Sequence, residues 1–580
     1  MTGKQFRLSE FLRLPDARTA VQACEGHVRV DGAPGLVLAN GLKESLEALP
    51  ALSSAWGDAI EVVLILVLPP DQFDRFEPAI ENLSRTAVSI TRSATLDKEL
   101  AHFEKLTGVG AILVSDRLEL NIIREIIQKT SALLGGRAIE LARAREEYVQ
   151  TSRLSPTTDH EIAFKMLRTA RRPVLMLDRR ALLQNPPHPI LSLAEEMHAP
   201  ILLTTAATCA PPTIVQRWIQ LAGDRVLFLP ANNIVWLRAF MKADLLLTLG
   251  ARLRESEGFG LNDFHLTRAD IVQVHPGSFQ TDPNVKLFIN NLAADFAENM
   301  LTLLRRMRPD ESEPVLDYRL TNLRIKRLES IRHETVQLHK GLERAAESAH
   351  QNQPLDPAAV THAIVGRSAA ETLFIGEGNS TGMWMWSYLW LRPVLYPDLM
   401  ASIGLALPWT MGVLQSADRR PIRVFLGDGS FLYQSGFLPE LSGGGKDVTV
   451  FLYNNAAWSS IRLEQTFVFR GRYPGTELPQ VDYTRIAQLH GWDTMRVESM
   501  EDLQAALNRA DESGKKRPFF VDINLPRDSI PFAGIMFALA ELDYIARPML
   551  SRVTRSALRA MLRRKVPYRF IGMVLRILFS

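Results

Sequence analysis

Short, almost wholly apolar runs recur along this chain and confine it to a small set of folds. Val62–Leu68, Ala111–Val114, Pro173–Leu177, Ile201–Thr204, Leu245–Leu249, Ile271–Val274, Leu373–Ile375, Ile422–Leu426, Val448–Tyr453 and Phe519–Ile523 are rich in Leu and β-branched residues and are bounded by Gly, Pro, Asp or Asn. Unbroken apolarity over so short a span marks strands covered on both faces. Between them lie helix-like stretches such as Leu118–Leu134, Ile190–Met197 and Met500–Ala510. Strand and helix in alternation predict an α/β protein with three doubly wound parallel-sheet domains.

The length of 580 residues leaves room for this. Boundaries fall where composition shifts: a first domain over 1–150, a central domain over 160–305, a charged helical linker over 306–354, a third domain over 355–545, and a basic tail over 546–580. With 46% hydrophobic and 23% charged residues the chain is neither disordered nor fibrous. Cys24 and Cys209 stand far apart, which argues against a disulfide framework or a cysteine metal cluster and points to a reducing, cytoplasmic compartment. No signal peptide or run of 18 apolar residues is present, so no membrane span is expected. The formal charge of +3 hides an asymmetry: Arg547–Ser580 holds nine Lys/Arg and no acid, leaving the body near −6. That body carries no basic, aromatic-interleaved patch, so nucleic acid is not expected as a partner.

One segment carries chemistry. The strand-like Val424–Leu426 runs into Gly427-Asp428-Gly429-Ser430, a tight turn whose glycines let the backbone approach a ligand and whose free N–H groups can receive phosphate oxygen. A second strand, Val448–Tyr453, ends in Asn454-Asn455, with 24 residues between Gly429 and Asn454. Adjacent parallel strands would bring Asp428 and Asn455 together at the carboxyl edge of the sheet, where α/β proteins bind ligands. A carboxylate, an amide oxygen and a main-chain carbonyl two residues on make a hard, oxygen-only site suited to Mg²⁺.

These residues resemble the GDG–x24–NN signature of thiamine-diphosphate (ThDP) enzymes, and Phe374–Gly412 is similar to the same domain of benzoylformate decarboxylase and acetolactate synthase. The resemblance implies that Asp428, Asn455 and the main-chain oxygen of Ala457 hold Mg²⁺, and that Asn379, Ser380, Gly427, Gly429, Ser430 and Asn454 lie around the cofactor's diphosphate. Ile403 matches the bulky apolar residue that props the cofactor into its bent shape, and Ala401 sits where a backbone carbonyl meets the aminopyrimidine. The runs beginning at Ala170, Ala199, Ala243 and Ala269 resemble the family's central domain. Some members hold a non-redox FAD there, but Gly250-Ala251-Arg252 reads as a connecting loop and lends FAD no support. The three domains are then pyrimidine-binding-like, central and diphosphate-binding. In the family the first domain of one subunit and the third of another share the cofactor, so a homodimer or homotetramer is implied.

The sequence departs from the family pattern twice. Aligning GHVRVDGAPG with the family's glycine-proline turn puts its cofactor-activating glutamate at Ala17, behind only 16 residues in a shortened first domain. Asp16 reads as a helix cap or a solvent-facing acid, Glu25 lies eight residues beyond Ala17, and no catalytic acid is assigned. Second, pyruvate-type decarboxylases carry an acid six positions after the metal-binding asparagine, where this chain has Ile461. An apolar wall delays protonation of the acyl-anion equivalent and favours its attack on a second carbonyl; core packing is the plainer reading of Ile461. Trp384, Trp386 and Trp458 read either as core or as the wall of a large acceptor pocket.

The resemblance therefore implies ThDP- and Mg²⁺-dependent decarboxylation of a 2-oxo acid, with carboligation of the acyl unit to a carbonyl acceptor, as in acetolactate synthase. The alternative is a ThDP-binding homologue without catalysis that serves assembly, regulation or membrane recruitment. In the tail, Arg555, Arg559 and Arg563 recur every fourth residue beside an apolar set. Residues 547–580 thus read as a docked terminal helix, a peripheral anchor on anionic lipid, or a protein-binding element.

Overall fold

The structure is a computed structural model. It describes residues 16–31, 35–40, 43, 47–48, 51, 55, 60, 62–73, 76, 86–90, 96, 100, 110–118, 121–123, 125–130 and 157–529, the last range without 185, 231–233, 252–268, 277–284, 307–316, 350–354, 398–402, 417, 444–446, 469–470 and 513–516. Ala401, Arg252 and the tail over 546–580 lie outside the described residues.

The first domain opens with α1 (Ala17–Asp31). Asp16 caps it, accepting from Thr19 N at 2.7 Å and Thr19 Oγ1 at 2.8 Å. The strands β1 (Gly35–Asn40), β2 (Val62–Leu68), β3 (Thr86–Ile90) and β4 (Gly110–Ser115) form a parallel sheet in the order β1-β2-β4-β3.

In the central domain α2 (Thr157–Thr169), β5 (Pro173–Leu177), α3 (Pro187–Glu196), β6 (Ile201–Leu203), β7 (Phe228–Leu229), β8 (Leu245–Leu249), β9 (Asp270–Val274) and β10 (Val285–Ile289) build a parallel sheet ordered β10-β9-β8-β5-β6-β7. The linker helix α4 (Tyr318–Ala349) is pinned to this domain by Arg324. Its guanidinium, fully buried, donates to the carbonyls of Leu167 at 2.7 Å and Ala170 at 2.6 Å, at the end of α2, and of Met197 at 2.8 Å, just past α3. These are carbonyls a helix leaves unpaired at its C-terminus, where a cation is favoured.

The third domain holds β11 (Leu373–Gly376), α5 (Asn379–Tyr388), β12 (Val394–Leu395), α6 (Ala406–Gln415), β13 (Ile422–Gly427), α7 (Asp428–Leu432), β14 (Val448–Asn454), α8 (Ser459–Val468), α9 (Tyr483–Leu489), β15 (Asp493–Val497), α10 (Met500–Asp511) and β16 (Phe519–Asn524). Its parallel sheet runs β12-β11-β13-β14-β16-β15. The fold is thus three parallel-sheet α/β domains. All ten apolar runs are interior strands, while β1, β3, β7, β10, β12 and β15 occupy sheet edges.

The first and third domains meet along α1 and α6. Gly26 faces the backbone of Trp409, and a Cβ on Gly412 would overlap the carbonyl oxygen of Ala23, so two glycines permit a close helix approach. Arg29 lies 4.2 Å from the centroid of the Trp409 ring and is held by the buried Glu25, 2.6 Å away. Ala23 and Val30 complete the seam within the apolar core of the third domain. Among the described residues, no helix is long and apolar enough to cross a membrane.

Candidate cofactor site

The carboxyl ends of β11, β13, β14 and β16 open onto a cleft of about 350 Å³. Its floor is Gly427–Ser430, where β13 turns into α7. A Cβ on Gly429 would strike the Trp458 ring at 2.5 Å, so only glycine lets that ring lie over the turn. Gly378, at φ +75°, has space for a Cβ only 3.1 Å from Ser430 Oγ and 4.0 Å from Ile403, which joins those three residues at one wall. Helices α5 and α8, ten residues each, begin at the cleft with Ser380, Thr381, Ser459 and Ser460 among its lining. Their unpaired N–H groups and positive dipole ends favour an anion between them.

Asp428 is the electrostatic centre. It is only 2% exposed, and its Oδ1 accepts from Gly429 N at 2.8 Å. Among the described residues, no donor comes within hydrogen-bonding geometry of Oδ2. Burial pushes the carboxyl up to about 6, and the amides of Gly429, Ala456, Ala457 and Asn455 oppose that push. The two halves of the motif therefore meet, although 24 residues separate Gly429 from Asn454. Asn455 donates its amide nitrogen to Ser459 Oγ at 2.7 Å and to the Arg527 carbonyl at 3.3 Å, which leaves its amide oxygen as an acceptor. Ala456 turns the chain in the left-handed region at φ +50°, unusual for a residue with a Cβ. Beyond it the Ala457 carbonyl accepts from Ser459 Oγ at 3.3 Å.

A divalent cation fits this donor set. A buried carboxylate oxygen without a donor is costly unless a positive charge takes it up, and the neighbouring acceptors are all oxygen. No group of three or more His, Cys, Asp or Glu occurs among the described residues, which leaves a single-carboxylate site shared with a bound phosphate as the arrangement these residues can form.

Of the residues expected at the site, Ser380, Ile403, Gly427, Gly429 and Ser430 line the cleft together with Asp428, Asn455 and Ala457. Asn379 is the first residue of α5. Asn454 is not among the residues lining the cleft; its amide nitrogen is turned to Asp522 on β16, 2.9 Å away. Trp384 and Trp458 line the cleft, whereas Trp386 packs edge-on against Tyr396 in the core. Ile461 is 48% exposed and borders the cleft, so core packing does not account for it.

Glu377 and Gln434 did not stand out in the sequence. Glu377, fully buried, accepts from Gly404 N at 3.0 Å, Leu405 N at 2.5 Å and Ala406 N at 2.8 Å, capping α6 and fixing the loop that carries Ile403. Burial pushes its carboxyl up, against those three amides and the Gln434 side-chain amide. Gln434 also accepts from Leu407 N at 2.8 Å. An acid closing a buried strand within Glu377-Gly378-Asn379 was the available signal.

The first domain brings no acid to the cleft among its described residues. Ala17 packs with Val21, Phe73 and Phe76 in its own domain's core. Asp16 caps α1, and Glu25 pairs with Arg29. Exposed Arg18 reaches the far side of the Ile403 loop, its Nη2 lying 3.5 Å from where a Cβ on Gly404 would stand.

A three-domain α/β chain with a cleft at the carboxyl edge of its third sheet, between two helix N-termini, has the architecture suited to a phosphorylated ligand. Residues 377–523 match the family described as thiamine pyrophosphate enzyme, C-terminal TPP binding domain, and residues 161–300 match its central domain. The chain belongs to the thiamine-diphosphate-dependent enzyme family. It is 24% identical over 363 residues to benzoylformate decarboxylase of Pseudomonas aeruginosa, covering 62% of either chain. It is 26% identical over 368 residues to sulfoacetaldehyde acetyltransferase of Rhodobacter capsulatus, covering 60% of either. The matched stretches thus span less than two thirds of these relatives' length. The fold is that of the Rhodococcus jostii thiamine diphosphate-dependent 4-hydroxybenzoylformate decarboxylase, with a TM-score of 0.60, 16% identity, and coverage of 88% of this chain and 91% of that one.

Proposed function

We propose that this protein binds ThDP with Mg²⁺ in the third-domain cleft and joins the acyl unit of a 2-oxo acid to a carbonyl acceptor. The observation that carries the reading is Asp428 Oδ2, buried without a partner beside the Asn455–Ala457 turn. Asp428, Asn455 and the Ala457 carbonyl would hold the cation, and the first turns of α5 and α8 the diphosphate. When bound, ThDP supplies the acyl-anion chemistry by which a 2-oxo acid loses carbon dioxide and passes its acyl unit on.

Ile403, fixed through Glu377, presents an apolar edge on which the cofactor can bend. Ile461 puts a half-exposed hydrocarbon side chain, with no proton to give, at the border of the cleft. Keeping an acid from that border would favour ligation over aldehyde release, in line with a relative named as an acetyltransferase. Trp384 and Trp458 leave room for an acceptor. A homodimer or homotetramer, a cytoplasmic setting and a membrane or protein contact through 547–580 complete the proposal.

The second reading, cofactor binding without turnover, is favoured by one observation: Ala17 is core, Asp16 caps a helix and Glu25 is paired, so none of these three positions offers an acid to activate the cofactor. Exchange of the cofactor's C2 proton, followed by NMR on the complex with Mg²⁺, separates the two. Exchange faster than in free ThDP supports the enzyme; exchange no faster than free favours the silent homologue.

A further inference from the structure

The first asparagine of the pair, turned away from the cleft, has a different task. Asn454 ends β14 and is gripped twice: its amide nitrogen donates to Asp522 Oδ1 at 2.9 Å, and its carbonyl accepts from Leu525 N at 2.8 Å. Asp522 is 1% exposed and lies on β16 opposite Leu452, on the sheet face covered by Phe431, Tyr483 and Phe520. A carboxylate among such neighbours costs stability that an apolar side chain would not. Its Oδ2 and the nearby Tyr483 hydroxyl both lack hydrogen-bond partners, so Asp522 is not there for an extensive polar network. Its one hydrogen bond is to Asn454.

Downstream of that bond the chain must do something difficult. Within three residues Asn455 aims its amide, Ala456 takes up φ +50° and Ala457 presents its carbonyl. A left-handed alanine persists only where its surroundings hold it. Ser459 and Arg527 hold Asn455 from the far side, and Asp522 fixes the near end.

We infer that Asp522, acting through Asn454, is a positioning residue that sets the Asn455–Ala457 turn for its cation. The inference rests on the proposed cation site and adds to it a residue that touches neither metal nor cofactor. Partners behind the ligands of a metal typically govern about 10- to 100-fold in affinity.

The test measures Mn²⁺, as a spin probe for the cation, binding to the full chain in the presence of ThDP. Asn454→Ala and Asp522→Leu should each weaken binding about tenfold. If the two act through one bond, the double variant should lose no more than either single variant, about tenfold rather than about a hundredfold. Asp522→Asn, which keeps an oxygen to accept from Asn454, should stay within about threefold of wild type. Without metal or cofactor, amide hydrogen exchange over residues 454–461 should quicken in Asn454→Ala, a readout independent of loading and of whether Asp522→Leu folds. Wild type binding Mn²⁺ while Asn454→Ala matches it, with unchanged exchange, or an additive double variant, would overturn the inference alone. Wild type binding no Mn²⁺ would overturn both it and the proposed cation site.

Discussion

The first and third domains are both parallel sheets with a helix at the shared seam, yet they deploy their buried acids in opposite ways. In the third domain Asp428 keeps one oxygen without a partner at the floor of a cleft, and Glu377 is spent on holding the loop that forms its wall. In the first domain Asp16 is spent on a helix cap and Glu25 on an ion pair at the seam, while Ala17 faces core. One domain stores an unmet demand for positive charge. The other engages Asp16 in a helix cap and Glu25 in an ion pair, and contributes shape through the glycine-lined contact of α1 with α6. The difference accords with the proposed cofactor site in the third domain and with Ala17, Asp16 and Glu25 taking no part in activation.

The sharpest attempt to break this contrast is Ala17→Glu, which restores the acid the family pattern expects. Because the side chain would enter the apolar cluster with Val21 and Phe73, the variant should lose about 4 kcal/mol of stability in urea unfolding, from overpacking and an unmet polar group together. It should not speed C2-proton exchange. A stable variant with faster exchange would show that Ala17 faces the cofactor.

Next in size is the seam. Gly412→Val should cost about 3 kcal/mol, since its side chain must displace the Ala23 backbone. If α1 contributes only shape, ThDP should still bind the folded variant, within about threefold by calorimetry.

A smaller effect of opposite sign is expected at Asp428. Burial pushes its carboxyl up to about 6, above the ordinary carboxylate range, so the neutral form favours folding. That contribution is full below about pH 4 and disappears as the pH rises through about 6. Without cofactor, Asp428→Asn should therefore be more stable than wild type at pH 7 by about 2 kcal/mol, the gain vanishing toward pH 4. Equal stability at both pH values would mean that Asp428 carries no such burden. The smallest expected effect is Ile461→Asp, a half-exposed change that should shift products toward free aldehyde by about tenfold; an unchanged ratio would remove Ile461 from the account of ligation.

How much of this was legible in the chain follows from what each feature depends on. Interior strands are covered on both faces and so read as unbroken apolar runs; edge strands such as β10 (Val285–Ile289) and β15 (Asp493–Val497) are partly exposed, and their mixed residues hide them. Asp428 and Asn455 were legible because turn residues at two strand ends fall on one sheet edge once the strands are parallel. The hydrogen bond of Asn454 was not legible, because its partner, Asp522, lies 68 residues away on another strand. Glu377 capping α6 and the Gly26–Gly412 seam likewise depend on contacts between distant segments, which no local spacing reports.

The central claim, a cation-assisted ThDP site centred on Asp428, is tested most directly by calorimetric titration of ThDP into the full-length wild type and Asp428→Ala, each with Mg²⁺ and with chelator. The account predicts binding by wild type that needs Mg²⁺ and a loss of about a hundredfold in Asp428→Ala. Binding by Asp428→Ala equal to that of wild type, or no binding by either, would contradict it.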